Sequence, residues 1–338
     1  MIRPIATTAK NRQVNRHPVD LFRFDLIRPI GSLVRPLRSL AAAVFNWSKS
    51  DAMKLIDRIQ AAHSTRQPLI MGVVNVTPDS FSDGGRFARA QDAVAHGLAL
   101  AEEGADILDV GGESTRPGAA PVSVDDEIDR VIPVIEGLRR ESSRPISVDS
   151  SKPEVMRAAV EAGADMINDV NGLRRPAAVE AVADLGVPVC LMHMLGEPQT
   201  MQRSPTYGDV VAEVTRFLEE RVADCLRAGI DRQALVIDPG FGFGKTLDHN
   251  LALLNGLEGL RDEGIPVLAG LSRKSMLGAI TGRKSAADRL ASSLAAALLA
   301  AQKGAAILRV HDVAETQDVI KVWLAARSAQ RAREQALE

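Results

Sequence analysis

Cysteine, aromatic side chains and long apolar runs are all scarce in this 338-residue chain. Its two cysteines, Cys190 and Cys225, cannot supply a disulfide framework or a four-ligand zinc site. Cys190 lies within the apolar run 187–192 and reads as a small buried hydrophobe rather than a nucleophile. Aromatic residues make up 3% of the chain, so Ala, Val, Leu and Gly must build its core from many short, closely packed elements. Near the N-terminus the longest unbroken apolar run is Leu40–Phe45, far short of the ~20 residues that a membrane helix needs. No membrane role is expected.

The formal charge of −2 hides an asymmetry. Residues 1–68 hold 12 Lys+Arg against 4 Asp+Glu, net +8, and the remainder holds 29 against 39, net −10. An acidic body repels a nucleic-acid backbone, so no nucleic-acid partner is expected. Residues 1–52 form a basic extension with prolines at Pro4, Pro18, Pro29 and Pro36, which break any long helix. The extension reads first as a disordered tail, or as sequence upstream of a start at Met53. A transit peptide comes second, since it is Arg-rich and acid-poor but lacks a signal-peptide layout. An arm for a partner or anionic lipid comes last. Residues 53–330 are expected to form one domain, and 331–338 a short tail.

From residue 69 onward one module recurs: a glycine that ends a helix, a short apolar strand, then a polar residue. It appears at Gly104, Gly163 and Gly304, with looser copies at Gly186 and Gly264. Helix starts are equally visible. Ser151-Lys152-Pro153-Glu154 offers a capping serine, an early proline and a glutamate three residues on. Ser123 opens a helix whose Ile128, Val131, Ile132, Ile135 and Leu138 follow helical spacing. A further helix is expected at Met53–Ala62, and the apolar stretch 286–301 should be a helix that packs on the barrel.

The strands expected are 69–74, 107–110, 146–148, 166–168, 189–192, 235–238, 267–269 and 306–310. Eight strands alternating with helices imply an α/β fold, a (β/α)8 TIM barrel carrying a basic N-terminal extension. A doubly wound sheet would want a glycine-rich turn after its first strand, where this chain has Asn75-Val76-Thr77-Pro78-Asp79.

In such a barrel the site lies at the C-terminal ends of the strands. Those ends, or the loops just after them, carry Asn75, Asp109 with Glu113 and Thr115, Asp149, Asn168, His193, Asp238, Lys274, and Arg309 with His311. Asp149, Asn168 and Asp238 suit the N–H edges of a flat polar heterocycle. Arg309 and His311, with Asn75, suit phosphate oxygens. The loops 77–87 and 111–121 look like covers for the site. Gly242-Phe243-Gly244-Lys245-Thr246 imitates a nucleotide loop, but Pro239 occupies the place of its first glycine. A tight turn is expected there. His63, His96 and His249 are isolated and lack zinc-ligand spacing.

Taken together, the motifs resemble the dihydropteroate synthases. The stretches are Asn75 to Gly85, Asp109 to Gly118, Ser147-Val148-Asp149, Asn168-Asp169, Asp238 to Lys245, Ser272-Arg273-Lys274-Ser275 and Arg309 to Val313. The resemblance spans roughly residues 53–327. It implies condensation of 6-hydroxymethyl-7,8-dihydropterin pyrophosphate with 4-aminobenzoate, to give 7,8-dihydropteroate and pyrophosphate in folate synthesis. It assigns the pterin to Asp149, Asn168, Asp238 and Lys274. Pyrophosphate and Mg2+ fall to Asn75, Thr115, Arg309 and His311, with Asn75 the metal ligand. Thr115, Arg116, Pro117, Phe243 and Ser275 surround the aminobenzoate. Asp83 helps to close the site, and with Asp238 favours positive charge at the pterin methylene carbon. Asp83, Asp238, Lys274, Arg309 and His311 are the catalytic set.

Sulfonamides, as aminobenzoate mimics, should compete. A cytoplasmic homodimer is the expected form. The alternatives are a corrinoid methyltransferase-type barrel, which the first loop and Ser272–Ser275 speak against, and a non-catalytic pterin binder, which would be expected to lose Arg309, His311 or that loop.

Overall fold

The computed structural model describes residues 49–76, 86–116 and 118–335. Its strands are β1 (Leu69–Asn75), β2 (Ile107–Gly111), β3 (Ile146–Asp149), β4 (Met166–Asp169), β5 (Val189–Met192), β6 (Leu235–Asp238), β7 (Leu268–Ala269) and β8 (Ile307–Val310). All neighbours pair in parallel, in the order β6-β5-β4-β3-β2-β1-β8-β7. A parallel bridge between Ile237 and Val267 brings the two ends of the sheet together. The chain is a (β/α)8 barrel.

The helices are α1 (Lys49–Thr65), α2 (Arg86–Glu102), α3 (Val124–Glu141), α4 (Pro153–Glu161) and α5 (Ala178–Leu185), then α6 (Val210–Arg227), α7 (Leu247–Asp262), α8 (Ser275–Thr281), α9 (Leu290–Gln302) and α10 (Val313–Gln335). The boundary expected at 52/53 therefore falls inside α1, and that at 330/331 inside α10. Among the described residues no helix is long and apolar enough to cross a membrane. The five repeat glycines all hold positive φ, from 65° at Gly186 to 112° at Gly163. That conformation ends a helix cheaply only without a Cβ.

Two apolar layers follow from strand alternation. Met71, Ile107, Met166, Cys190, Val236, Leu268 and Ile307 form an inner cluster, which Leu55 and Ile59 of α1 join. Most of these strand residues start their strands, so α1 covers the N-terminal mouth. It is tied there by Gln60 Nε2, which donates to the Gln233 carbonyl at 2.8 Å. Burial pushes the Cys190 thiol well above its usual pKa, as suits a core residue. The outer layer packs strand residues such as Val110, Val148 and Ile167 under helix residues such as Ile135, Leu138 and Met156.

Ser123 caps α3, its oxygen accepting the Asp126 N–H at 3.1 Å. Ser151 does not cap α4. Lys152 is the residue that precedes the helix, and the Ser151 hydroxyl donates to Asp169. That buried carboxylate also takes the N–H groups of Asn171 and Leu173, at 2.8 and 2.7 Å. It has more to gain from a hydroxyl than an amide that water can reach.

Candidate active site

At the C-terminal mouth of the barrel Arg309 is the hub. Its Nε donates to Asp109 Oδ2 at 2.6 Å and its Nη2 to Asp149 Oδ2 at 2.8 Å. Asn168 Nδ2 reaches the same Asp109 oxygen at 3.2 Å. Only β1 separates the strands of Arg309 and Asp109. Burial, opposed by Arg309 and reinforced by Asp109, pushes the Asp149 carboxyl up to about 7. Burial acts to lower the Arg309 pKa, but Asp109 and Asp149 outweigh it and raise the guanidinium further. Asp109 is fully buried, and its Oδ1 has no partner among the described residues.

The sequence separates a carboxylate set from a cationic set; in the structure Arg309 joins them. Asp109 belongs to that centre; the sequence places it at the mouth among the strand-end residues but gives it no role. The available signal is a charged residue inside the otherwise apolar strand Ile107-Leu108-Asp109-Val110-Gly111.

On the opposite side Asp238 ends β6, its Oδ1 accepting the Gly240 N–H at 2.7 Å. Burial raises its pKa, against Lys274 first and that amide second. Lys274 donates to the Phe241 carbonyl, and its Nζ lies 4.5 Å from the centre of the Phe243 ring. Burial lowers the lysine to about 8, although Asp238 opposes this. Ser275 is exposed at the start of α8.

The stretch after Pro239 makes the tight turn expected of it, the Phe243 N–H donating to the Gly240 carbonyl at 3.1 Å, but its lysine is drawn inside. Lys245 is buried, and its ammonium donates to the Phe243 carbonyl and contacts His193 Nδ1, each at 2.9 Å. Burial lowers Lys245 to about 7. Burial, then Lys245, takes His193 down to about 3, so the ring is a neutral acceptor. Thr246 caps α7 in a reciprocal box with His249. Lys245 thus pins the loop that presents Phe243, a role hidden in a motif that looks like a failed phosphate loop.

The same loop lies against the β5 exit. At Gly240 φ is +68°, and an added Cβ would overlap the His193 carbonyl oxygen. We expect Gly240→Ala to lose roughly 3–5 kcal/mol, the cost of left-handed alanine plus overpacking. Denaturant unfolding measures it, and a loss under about 1 kcal/mol, the size of an ordinary substitution, would refute the tight approach.

Behind Arg309, Ser272 Oγ accepts the His311 backbone N–H at 3.2 Å and lies 3.0 Å from His311 Nδ1. With its hydroxyl donating to Nδ1, the ring proton belongs on Nε2. Burial first, then Arg309, Arg273 and Arg116 among its charged neighbours, lowers His311 to about 4, so it offers a neutral N–H donor. Thr115 is half-buried and Arg116 exposed in the loop after β2. Asn75, half-buried, closes β1. Asp83 and Pro117, with most of the first loop, lie outside the described residues.

Among the described residues no group of three or more His, Cys, Asp or Glu is placed to hold a metal ion. Asn75, half-buried at the end of β1, offers one hard amide oxygen of the kind that Mg2+ can take beside phosphate oxygens.

Residues 71–311 match the family described as pterin binding enzyme. The dihydropteroate synthase of Escherichia coli K12 is 52% identical over 262 residues, covering 78% of this chain and 93% of its own. A solved structure of the Xanthomonas albilineans enzyme with 4-aminobenzoic acid is 60% identical with a TM-score of 0.74, covering 77% of this chain and 93% of that one. A Yersinia pestis enzyme in a sulfonamide drug complex is 47% identical with a TM-score of 0.74, covering 78% and 95%. This chain belongs to the pterin-binding enzymes and, among them, to the dihydropteroate synthases.

Proposed function

We propose that the barrel joins 6-hydroxymethyl-7,8-dihydropterin pyrophosphate to 4-aminobenzoate, releasing 7,8-dihydropteroate and pyrophosphate as a transferase of folate synthesis. The observation that carries this reading is the Arg309 hub, a cation fixed between Asp109 and Asp149 at the C-terminal mouth of the barrel. Asp149, Asn168 and Asp238 accept from or donate to the pterin edge, and Lys274 covers it. Thr115, Arg116, Pro117, Phe243 and Ser275 enclose the aminobenzoate.

An arylamine is already nucleophilic, so the protein's main task is to stabilise the departing pyrophosphate. Arg309 supplies a fixed charge and His311 a neutral N–H donor, with Thr115 alongside. Asn75 is the side-chain ligand we assign to Mg2+, whose chemistry there is to neutralise charge on the leaving group. Asp83 and Asp238 favour positive charge at the methylene carbon. The test is pyrophosphate release, measured with and without aminobenzoate and Mg2+. Release that needs both and yields dihydropteroate supports the reading; pterin binding without turnover ends it.

The alkaline limb of kcat/KM gives a second prediction. Lys274 sits at about 8, so activity that uses its ammonium falls as pH rises through that value. In Lys274→Arg the cation persists and the limb should move upward. A limb unmoved in that variant would assign it to another group.

Sulfonamides are expected to compete with aminobenzoate alone. A homodimer is part of the proposal: Leu299 of α9 and Ile280 of α8 are 46% and 54% exposed, apolar surface that a second copy would cover. Sedimentation tests the dimer, and cell fractionation tests the cytoplasmic location.

A further inference from the structure

The loop that follows β2 leaves the barrel at Gly111 and returns ahead of α3, and one carboxylate ties its two ends. Glu113 Oε1 accepts the Val122 N–H at 3.2 Å, nine residues further along the chain. Its other oxygen accepts from Lys152 Nζ, which also donates to Glu127 Oε2. The Lys152 side chain is 6% exposed, that of Glu127 1% and that of Glu113 25%. Lys152 has little freedom of its own, because its backbone N–H is held by Ser150 Oγ ahead of α4. The loop root is gripped a second time where Arg130 Nη1 of α3 donates to the Gly112 carbonyl at 2.8 Å. No side chain fits at Gly112, since a Cβ would come within 2.7 Å of Val131 and 3.1 Å of Glu127.

Two carboxylates therefore share one ammonium in a nearly dry place. Burying such a group stabilises little by itself. What it supplies is geometry: charge-assisted hydrogen bonds are short and directional. It is also asymmetric. If Glu113 lets go, Lys152 keeps Glu127, so no buried cation is stranded. If Lys152 is lost, both carboxylates are stranded.

Thr115 and Arg116 lie between the two tied ends. We propose that Glu113 is a positioning residue for aminobenzoate, its carboxylate closing the neck of the loop onto Lys152 and so placing Thr115 and Arg116. This rests on the proposal above that these two residues enclose the aminobenzoate. Glu113 touches neither substrate; it acts through the loop.

The experiment uses the full chain and compares Glu113→Ala and Glu113→Gln with Thr115→Val. In Glu113→Ala the KM for 4-aminobenzoate should rise roughly tenfold, equivalent to about 1.4 kcal/mol of lost positioning. The Kd for the dihydropterin pyrophosphate should stay within about twofold, less than the 1.4 kcal/mol of a tenfold change. Glu113→Gln keeps an acceptor for the Val122 N–H and should recover part of the loss. If Glu113→Ala does not fold, Glu113→Gln carries the same comparison at smaller amplitude. Hydrogen exchange at the Val122 amide should quicken in either variant.

A raised KM in Thr115→Val with none in the Glu113 variants would overturn the positioning role while leaving the aminobenzoate assignment intact. An unchanged KM in all three would overturn both. Equal loss for both substrates would show a merely structural residue and also overturn the proposal.

Discussion

Replacing Arg309 with methionine should lower turnover roughly a thousandfold, the scale for removing one fixed charge-stabilising donor. It should also cost the fold about 3–5 kcal/mol, because a buried ionic network has lost the cation that bridges its two carboxylates. Both effects come from one geometry: Arg309 binds Asp109 and Asp149 on two other strands, and Asp109 is fully buried. The stability loss should depend on pH in a definite direction. The Asp149 carboxyl is raised from 3.8 to about 7 in the folded protein. Between those values the folded state holds a proton that the unfolded state has released, so stability rises as pH falls. Removing Arg309 raises that carboxyl further and widens the window. The deficit against the unaltered protein should therefore be largest above pH 7 and shrink toward pH 5. Urea unfolding at the two pH values measures it, and equal deficits would show that Asp149 does not depend on Arg309.

Asp238→Asn should separate function from stability. An amide in place of the carboxylate sets a donor against the pterin's own N–H groups. The expected loss in kcat/KM for the pterin substrate is roughly a thousandfold, in line with mismatched buried hydrogen bonds. Burial already holds the Asp238 carboxyl above its usual pKa, so losing the charge removes a desolvation cost while Lys274 loses its nearest anion. Stability should stay within about 1 kcal/mol, as these two changes oppose each other. Without Asp238 the Lys274 pKa should fall below its present 8 or so, since Asp238 opposes its burial more strongly than Asp149 does. The alkaline limb then moves to lower pH, opposite to its direction in Lys274→Arg. A variant that binds the pterin pyrophosphate normally would remove Asp238 from the recognition set.

Much of the barrel was legible because each unit announces itself locally. A glycine after a helix and four or five apolar residues suffice to place a strand, and the structure moves the strand ends by one residue at most. β7 loses Val267, which lies outside the strand and meets Ile237 through an isolated parallel bridge where the sheet closes. The polar residues at strand ends were legible for the same reason. Their pairings were not, since Arg309 finds Asp109 and Asp149 across 200 and 160 residues of chain. Nothing local to Arg309 says that two carboxylates wait on β2 and β3. Ser151 and Lys245 hide their contacts in the opposite way. Each fits a local motif, a cap and a turn, but a buried partner outbids solvent: Asp169 for the hydroxyl, the Phe243 carbonyl and His193 for the ammonium. Glu113 and Lys152 likewise meet because β2 and β3 pair in parallel, with Gly111 opposite Asp149, which sets the two following loops side by side.

The helix that closes the N-terminal mouth has a consequence for synthesis on the ribosome. Leu55 and Ile59 emerge among the first residues of the domain, but the cluster that buries them includes Ile307. That residue follows Ile59 by 248 positions. At elongation rates of 5–20 residues per second, the apolar face of α1 waits about 12 to 50 s for its last partner. For most of translation α1 is a nascent amphipathic segment without a docking site, and thus a natural target for a chaperone that reads exposed leucine and isoleucine. Among the described helices, the first to be made is among the last to be fully buried.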